Sequence, residues 1–274
     1  MFEECIQLKG KEKGTTSIVL AGVHGDETCG IKAFEKVLDT LKIERGTVLF
    51  CYGNPRAIEA NKRFIETNLN RMFCNKSVTQ KEKESYEYKR AQELKKYLDT
   101  ADALLDIHAS SIPKSRSFII CENNAKDSTP FLPIDLVVSG FDEVEPGGTD
   151  YYMNSNGKIG ICVECGYIKD PQGITIAEES IYAFIKTQGH IHNDLFPTQK
   201  SYIRIFKKYY TKTTTFVLSR SFENFEIVEV NQLIGIDGNE EIRAPKRSYI
   251  LFAHNGTHRG DEVFLLGEKK ESLV

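Results

Sequence analysis

As far as Gln188, two kinds of hydrophobic pattern alternate along the chain. Thr15 to Val23 is β-branched and apolar, the run expected of a strand covered on both faces. Thr28 to Leu41 then places Ile31, Phe34, Val37, Leu38 and Leu41 along one side of a helix. Gly46 to Tyr52 is a second apolar run, closed by the turn residues Gly53-Asn54-Pro55. This β-α-β order predicts a parallel sheet with right-handed crossovers. Lys81 to Leu98 follows as a charged helix with Tyr86, Ala91, Leu94 and Leu98 on one side. Strands are expected over Ala103–Ala109, Ser117–Cys121, Asp135–Ser139 and Lys158–Gly166, and an amphipathic helix over Thr175–Gln188.

After Pro197 the texture changes. Tyr202–Phe206, Thr213–Leu218, Phe225–Val230 and Ser248–Phe252 read as strands separated by turns such as Asp237-Gly238, and no helical period survives. The expected organisation is therefore an α/β unit over residues 1–196 and a small all-β unit over 197–274. Two stretches of the α/β unit lack a period. Residues 55–80 crowd Arg56, Lys62, Arg63, Asn68, Asn70 and Arg71 among apolar anchors such as Phe64, Leu69 and Phe73, as a functional loop does. Residues 140–157 form a connector rich in glycine, acid and tyrosine.

Composition narrows the function classes. Of 274 residues, 40% are apolar and 27% charged, which suits an ordinary globular core, and a net charge of -3 argues against a nucleic-acid partner. No run approaches the ~18 apolar residues of a membrane span, and Met1-Phe-Glu-Glu lacks the character of a secretory signal. Seven scattered cysteines are then expected to be reduced thiols in a cytoplasm. Cys162-Val-Glu-Cys165 has the spacing of a redox dithiol, but its apolar flanks read as a buried strand in which cysteine serves as a small hydrophobe.

Chemistry gathers where the strands end. His24 and Glu27 follow one predicted parallel strand and His108 ends another, so all three can meet at one sheet edge. Two imidazoles and a carboxylate with a fourth position open make a catalytic zinc set. Asp106 is either a partner that orients an imidazole or an ordinary strand-end residue. Glu164, an acid inside Ile-Cys-Val-Glu-Cys-Gly, is either a general base or an ion-paired strand end. Arg63 and the adjacent Asn70-Arg71 are either substrate-binding groups or a solvated basic face.

Taken in order, His24-Gly-Asp-Glu27, Gly53-Asn-Pro-Arg-Ala57, Arg63, Asn68-Leu-Asn-Arg-Met-Phe73, Asp106-Ile-His108 and Val163-Glu-Cys-Gly166 resemble the succinylglutamate desuccinylase/aspartoacylase family, a branch of the zinc carboxypeptidase superfamily. The resemblance covers about residues 17–187, and the β tail is similar to that family's C-terminal β domain. It implies a zinc-carboxypeptidase-like mixed sheet flanked by helices, with a small C-terminal all-β domain. It also implies one Zn2+ per chain on His24, Glu27 and His108, a carbonyl-polarising Arg63, a carboxylate-holding Asn70-Arg71 pair and a water-activating Glu164. The expected reaction is hydrolysis of an amide bond next to a carboxylate in an N-acyl amino acid. The alternative is a carboxypeptidase acting on a short or modified peptide. Either way the partner is a small molecule, with no nucleic acid and no membrane. The chain departs from the family in reading Asn68 where Asp is usual. It also carries no arginine in the connector before Glu164, where Lys158, Tyr151 or Tyr152 are the candidates to take that arginine's place.

Overall fold

The computed structural model describes residues 5–74 and 78–273. In chain order its elements begin with β1 (Cys5–Lys9), β2 (Glu12–Ala21), α1 (Cys29–Thr40), β3 (Arg45–Tyr52) and α2 (Pro55–Ala60). After a 3-10 turn at Leu69–Arg71 come α3 (Tyr86–Leu98), β4 (Ala103–Ser110), β5 (Phe118–Cys121), β6 (Leu136–Ser139), α4 (Phe141–Val144), α5 (Thr149–Ser155), β7 (Ile159–Tyr167) and α6 (Gln172–Thr187). The tail holds β8 (Ser201–Tyr210), β9 (Phe216–Leu218), β10 (Glu226–Val228), β11 (Leu233–Asp237), β12 (Glu240–Arg243), β13 (Ser248–Leu251) and β14 (Glu262–Lys270).

The central strands β3, β2, β4 and β7 are parallel neighbours, as the β-α-β pattern predicts. Alternation along them divides the core. Val19, Ala21, Leu105, Ile107, Ile161 and Val163 face a layer containing Phe34, Val37, Ile181 and Phe184 of α1 and α6. Ile18, Leu20, Leu49 and Leu104 face Leu94 and Leu98 of α3, together with Leu69, Met72 and Phe73 of the long loop. That second packing anchors the loop although only short turns and one short helix are regular within it. The same alternation sets Asp106 and His108 on the face opposite Leu105 and Ile107.

Beyond β7 the sheet becomes mixed, with β5 antiparallel to β7, β6 parallel to β5 and β8 parallel to β6. The antiparallel strands β14, β13 and β10 continue it, so among the described residues eleven strands form one sheet. A separate three-stranded sheet, β12-β11-β9, caps the tail. The chain is thus a mixed α/β protein whose last strands extend the main sheet.

Several elements differ from the sequence reading. β1 was not anticipated: it lies antiparallel to β3, with Cys5 opposite Cys51 and a disulfide between them. The expectation of seven reduced thiols is therefore corrected, because the register sets those two sulfurs face to face. The five free cysteines, Cys162 and Cys165 among them, are all buried. Helix α2 begins inside the predicted loop, with Pro55 in its first turn and the Asn54 side chain accepting from Ala57 N at 3.2 Å. The connector holds α4 and α5 rather than an irregular link. No helix among the described residues is long and apolar enough to cross a membrane.

Candidate metal centre and active site

β2 ends at Ala21, and Gly22, at a φ of +70°, turns the chain toward α1. His24 and Glu27 sit in that turn, where Glu27 N donates to His24 O at 3.2 Å. A Cβ on Gly25 would lie 2.1 Å from the Ala57 carbonyl carbon, so only glycine lets the turn pack on α2. His108, near the end of β4, completes the group from the neighbouring parallel strand. His24, Glu27 and His108 are 3%, 2% and 2% exposed.

Glu27 stands between the two imidazoles. Its Oε1 lies 2.7 Å from His24 Nδ1 and its Oε2 2.9 Å from His108 Nδ1, while Oε2 also accepts from Ala109 N at 3.0 Å. The far side of each ring is occupied. His24 Nε2 is 3.0 Å from Asn68 Oδ1, and His108 Nε2 is 3.1 Å from Asp106 Oδ2, off the line of a hydrogen bond. Asp106 Oδ2 is in turn held by the Thr149 hydroxyl at the start of α5. An Asn68 Oδ1 that accepts from Nε2–H leaves Nδ1 with a lone pair facing Glu27. Asn68, where the family pattern reads Asp, thus supplies the acceptor that orients this ring.

Charge follows the same geometry. Burial pulls the His24 imidazolium down despite the adjacent Glu27. Burial works in the same direction on His108, but Asp106 and Glu27 together overcome it and raise this group well above the usual histidine range. Burial would raise Glu27, yet the two histidines hold it well below the usual carboxylate range. One ligand atom from each of the three residues lies within 4.8 Å of the other two. Two imidazoles and a carboxylate fit a borderline divalent ion such as zinc. The buried Glu164 Oε2, without a hydrogen-bond partner, marks the cluster as polar and incompletely satisfied.

The remaining predicted residues line one cavity of about 410 Å³ with the triad. Glu164 is directly opposite His108 in the β4–β7 register. Burial and the charge of Glu27 push its carboxyl up to about 7. Arg63 donates to Glu27 Oε1 at 2.8 Å. Asn70 and Arg71 lie in the 3-10 turn, whose entry is capped by Asn68 Oδ1 accepting from Asn70 N at 3.0 Å. The Arg71 guanidinium donates to Asn70 O at 2.8 Å and pairs with Glu145. Gly147, at a φ of +121°, permits that pairing by letting the connector pass against the Arg71 backbone, with Phe73 N donating to Gly147 O at 3.1 Å.

Sequence reasoning missed Glu145 and Glu87. Glu87, fully buried on α3, accepts from Ile65 N at 2.7 Å, from Glu66 N and from Thr67 N, and receives Asn54 Nδ2 at 3.3 Å. It pins the loop that carries Arg63. An acid in the first turn of a predicted helix is so common that it carries no such signal. Replacing Glu87 by Ala removes the acceptor of the buried Asn54 side chain and of three part-buried loop N–H groups, so Glu87→Ala is expected to destabilise the fold by about 2 kcal/mol. A urea or thermal midpoint unchanged from wild type would refute that role. Of the candidates for the missing connector arginine, Lys158 donates to Leu98 O and Asp99 O, and Tyr152 donates to Asp99. Both point elsewhere because the Asp99 region captures them, and only Tyr151 lines the cavity.

The family model "Succinylglutamate desuccinylase/Aspartoacylase catalytic domain" matches residues 13–187, more than half of the chain. The chain belongs to the succinylglutamate desuccinylase/aspartoacylase family. Among similar members of this family, a probable aspartoacylase of Nostoc sp. is 28% identical over 193 residues, covering 65% of this chain and 62% of the relative. An N-acyl-aromatic-L-amino acid amidohydrolase (carboxylate-forming) of Rattus norvegicus is 31% identical over 183 residues, covering 58% of this chain and 55% of the relative. The matches thus span less than two thirds of these curated relatives. A crystal structure of succinylglutamate desuccinylase from Vibrio cholerae superposes with a TM-score of 0.83 at 19% identity, covering 98% of this chain and 88% of that one. The desuccinylase/aspartoacylase fold therefore extends through the β tail as well as the matched catalytic part.

Proposed function

We propose that the chain is a zinc-dependent amidohydrolase that removes the acyl group from an N-acyl amino acid. The observation that carries this reading is the meeting of His24, Glu27 and His108 with Glu164 in the cavity that also receives Arg63, Asn70 and Arg71. One Zn2+ on His24, Glu27 and His108 would supply Lewis-acid polarisation. Glu164 takes a proton from water as the oxygen attacks the amide carbon. Arg63, anchored on Glu27 with donors to spare, faces the oxyanion that develops on the former carbonyl oxygen. Glu164 then delivers its proton to the nitrogen as the C–N bond breaks, releasing a carboxylic acid and an amino acid. Asn70 and Arg71 hold the substrate carboxylate. The division at residues 196 and 197 belongs to the same proposal: Phe252, His254 and Glu262 of the second unit close the cavity wall. A small-molecule partner completes the reading.

The test is a hydrolysis screen of N-acyl amino acids and dipeptides on the zinc-loaded protein. Turnover of N-acyl amino acids supports deacylation, whereas cleavage confined to peptides would favour a carboxypeptidase. A carboxylate clamp makes a sharper demand. A guanidinium fork matches a carboxylate in two parallel hydrogen bonds, which an ammonium cannot copy. Amidating the substrate α-carboxylate is therefore expected to lower kcat/KM by about 10²-fold, and Arg71→Lys to lower it sharply for the free acid. Equal hydrolysis of free acid and carboxamide would remove Arg71 from the substrate.

A further inference from the structure

Arg71 reaches the cavity with an acid at its back. Glu145 divides its two oxygens: Oε2 pairs with the Arg71 guanidinium, and Oε1 accepts from Lys208 Nζ at 2.8 Å. Lys208 belongs to β8, beyond the part of the chain that the family model matches. Its side chain is as buried as that of Glu145, each 9% exposed. Strand alternation sets it there, because Tyr209 turns into the core of the tail and Lys208 faces the other way. Lys208 Nζ also lies 3.5 Å from Glu262 Oε2. A β-bulge in β14 sends both Val263 and Phe264 into the tail core and so brings Glu262 to the face of Lys208. Burial and the hydrogen bond to Glu145 push Glu262 up to about 8, so near neutral pH it meets Glu145 as a neutral carboxyl that donates. A buried ammonium costs stability that an apolar side chain would not. Lys208 therefore calls for a reason beyond packing.

Resting on the deacylase reading above, in which Arg71 takes the substrate carboxylate, we propose that Lys208 is a positioning residue for substrate recognition. It neutralises Glu145, so that Glu145 can hold Arg71 in place without cancelling its charge. The cavity lining includes Arg71, Glu145 and Glu262 but not Lys208, so the lysine acts through the others. With Glu145 and Arg71 alone, one anion would face one cation, and an incoming carboxylate would compete with Glu145 for the guanidinium. With Lys208 present, two cations face that anion, and one positive charge remains where Arg71 meets the cavity. Of the five N–H groups of a guanidinium, the contacts to Asn70 O and Glu145 leave others for a bidentate pair. The β tail thereby tunes the choice of substrate from behind the wall.

The test uses the full-length, zinc-loaded protein and three pairs of probes. They are N-acetyl-L-methionine, N-acetyl-L-phenylalanine and N-acetyl-L-glutamate, each with its α-carboxamide. The readout is the preference for free acid over carboxamide in kcat/KM. In Lys208→Met that preference is expected to fall about tenfold, through a higher KM for the free acid with little change in kcat. Lys208→Arg keeps the charge and is expected to stay near the wild type. Adding Glu145→Gln to Lys208→Met removes the unbalanced anion and is expected to recover most of the preference. A lysine that only packs would lower the rates of acid and carboxamide alike, and Glu145→Gln would not repair them. An unchanged preference in a folded Lys208→Met, or a loss that the second substitution leaves in place, would overturn the proposal. A thermal midpoint checks each fold. Should Lys208→Met not fold, Lys208→Gln, which keeps a donor without the charge, carries the same expectation. Calorimetric binding of the same compounds provides an arm that needs no turnover. If none is hydrolysed, the deacylase reading falls and binding decides Lys208 by itself. A free-acid preference that drops without the lysine upholds its role, and no preference, or one that survives, refutes it.

Discussion

Glu164→Gln is expected to keep the fold and the metal content of the wild type while turnover falls about 10²-fold or more. The substitution preserves shape and removes only the ability to accept and return a proton. Glu164 sits inside β7 with apolar neighbours on the same face, opposite His108 in register. Burial and the nearby Glu27 push its carboxyl up to about 7, where a group passes a proton in both directions at neutral pH with little bias. Its Oε2 is buried without a hydrogen-bond partner, so no contact in the structure accounts for an acid at this position. The measurement is kcat on an N-acyl amino acid together with metal content and a thermal midpoint for the same variant. Near-normal turnover in a folded, metal-bearing Glu164→Gln would make the residue structural. A loss of metal alongside the loss of turnover would assign it to the metal site instead.

Much of the fold was legible because its strands are covered on both faces. Runs such as Ile18–Ala21 and Ala103–Leu105 have no polar position to blur their limits, and α1 and α6 carry clean apolar stripes. β1 was missed because a strand at the sheet edge leaves Gln7 and Lys9 exposed and so has no continuous apolar run. The continuation of the main sheet into β8 was hidden for a different reason. Strand pairing between Leu136–Ser139 and Ser201–Arg204 is a long-range fact, and nothing local in either segment names its partner.

The site divides in the same way. His24, Glu27 and His108 could be brought together on paper because parallel strands end on one edge, and Glu164 because an acid in an apolar strand is conspicuous. Asn70 and Arg71 were legible as a pair but not in their engagement, since Glu145 reaches Arg71 only through the turn that Gly147 allows. Asn68 looked like a departure in the sequence; in the structure its Oδ1 lies 3.0 Å from His24 Nε2 and orients that ring as a neutral acceptor. Asp142 and Asp150 share the acid-rich connector, and Glu262 of β14 joins them on the cavity wall only through folding.

Removing one imidazole tests the account at its centre. Among the described residues, His24, Glu27 and His108 are the only group of histidines, cysteines and acids close enough together to hold a metal ion. In His108→Ala the cluster keeps one nitrogen and one carboxylate, and Glu27 loses one of the two histidines it bridges. Two protein ligands of the three that a catalytic zinc site uses do not retain the ion against dilution. The direct measurement is the zinc-to-protein ratio of wild type and His108→Ala after zinc loading and gel filtration, with circular dichroism to verify the fold. The predicted result is about one zinc per chain in the wild type and almost none in a folded His108→Ala, with hydrolysis of N-acyl amino acids lost in step. Full zinc occupancy in His108→Ala, or a wild type that hydrolyses at its full rate after its metal has been stripped, would contradict it.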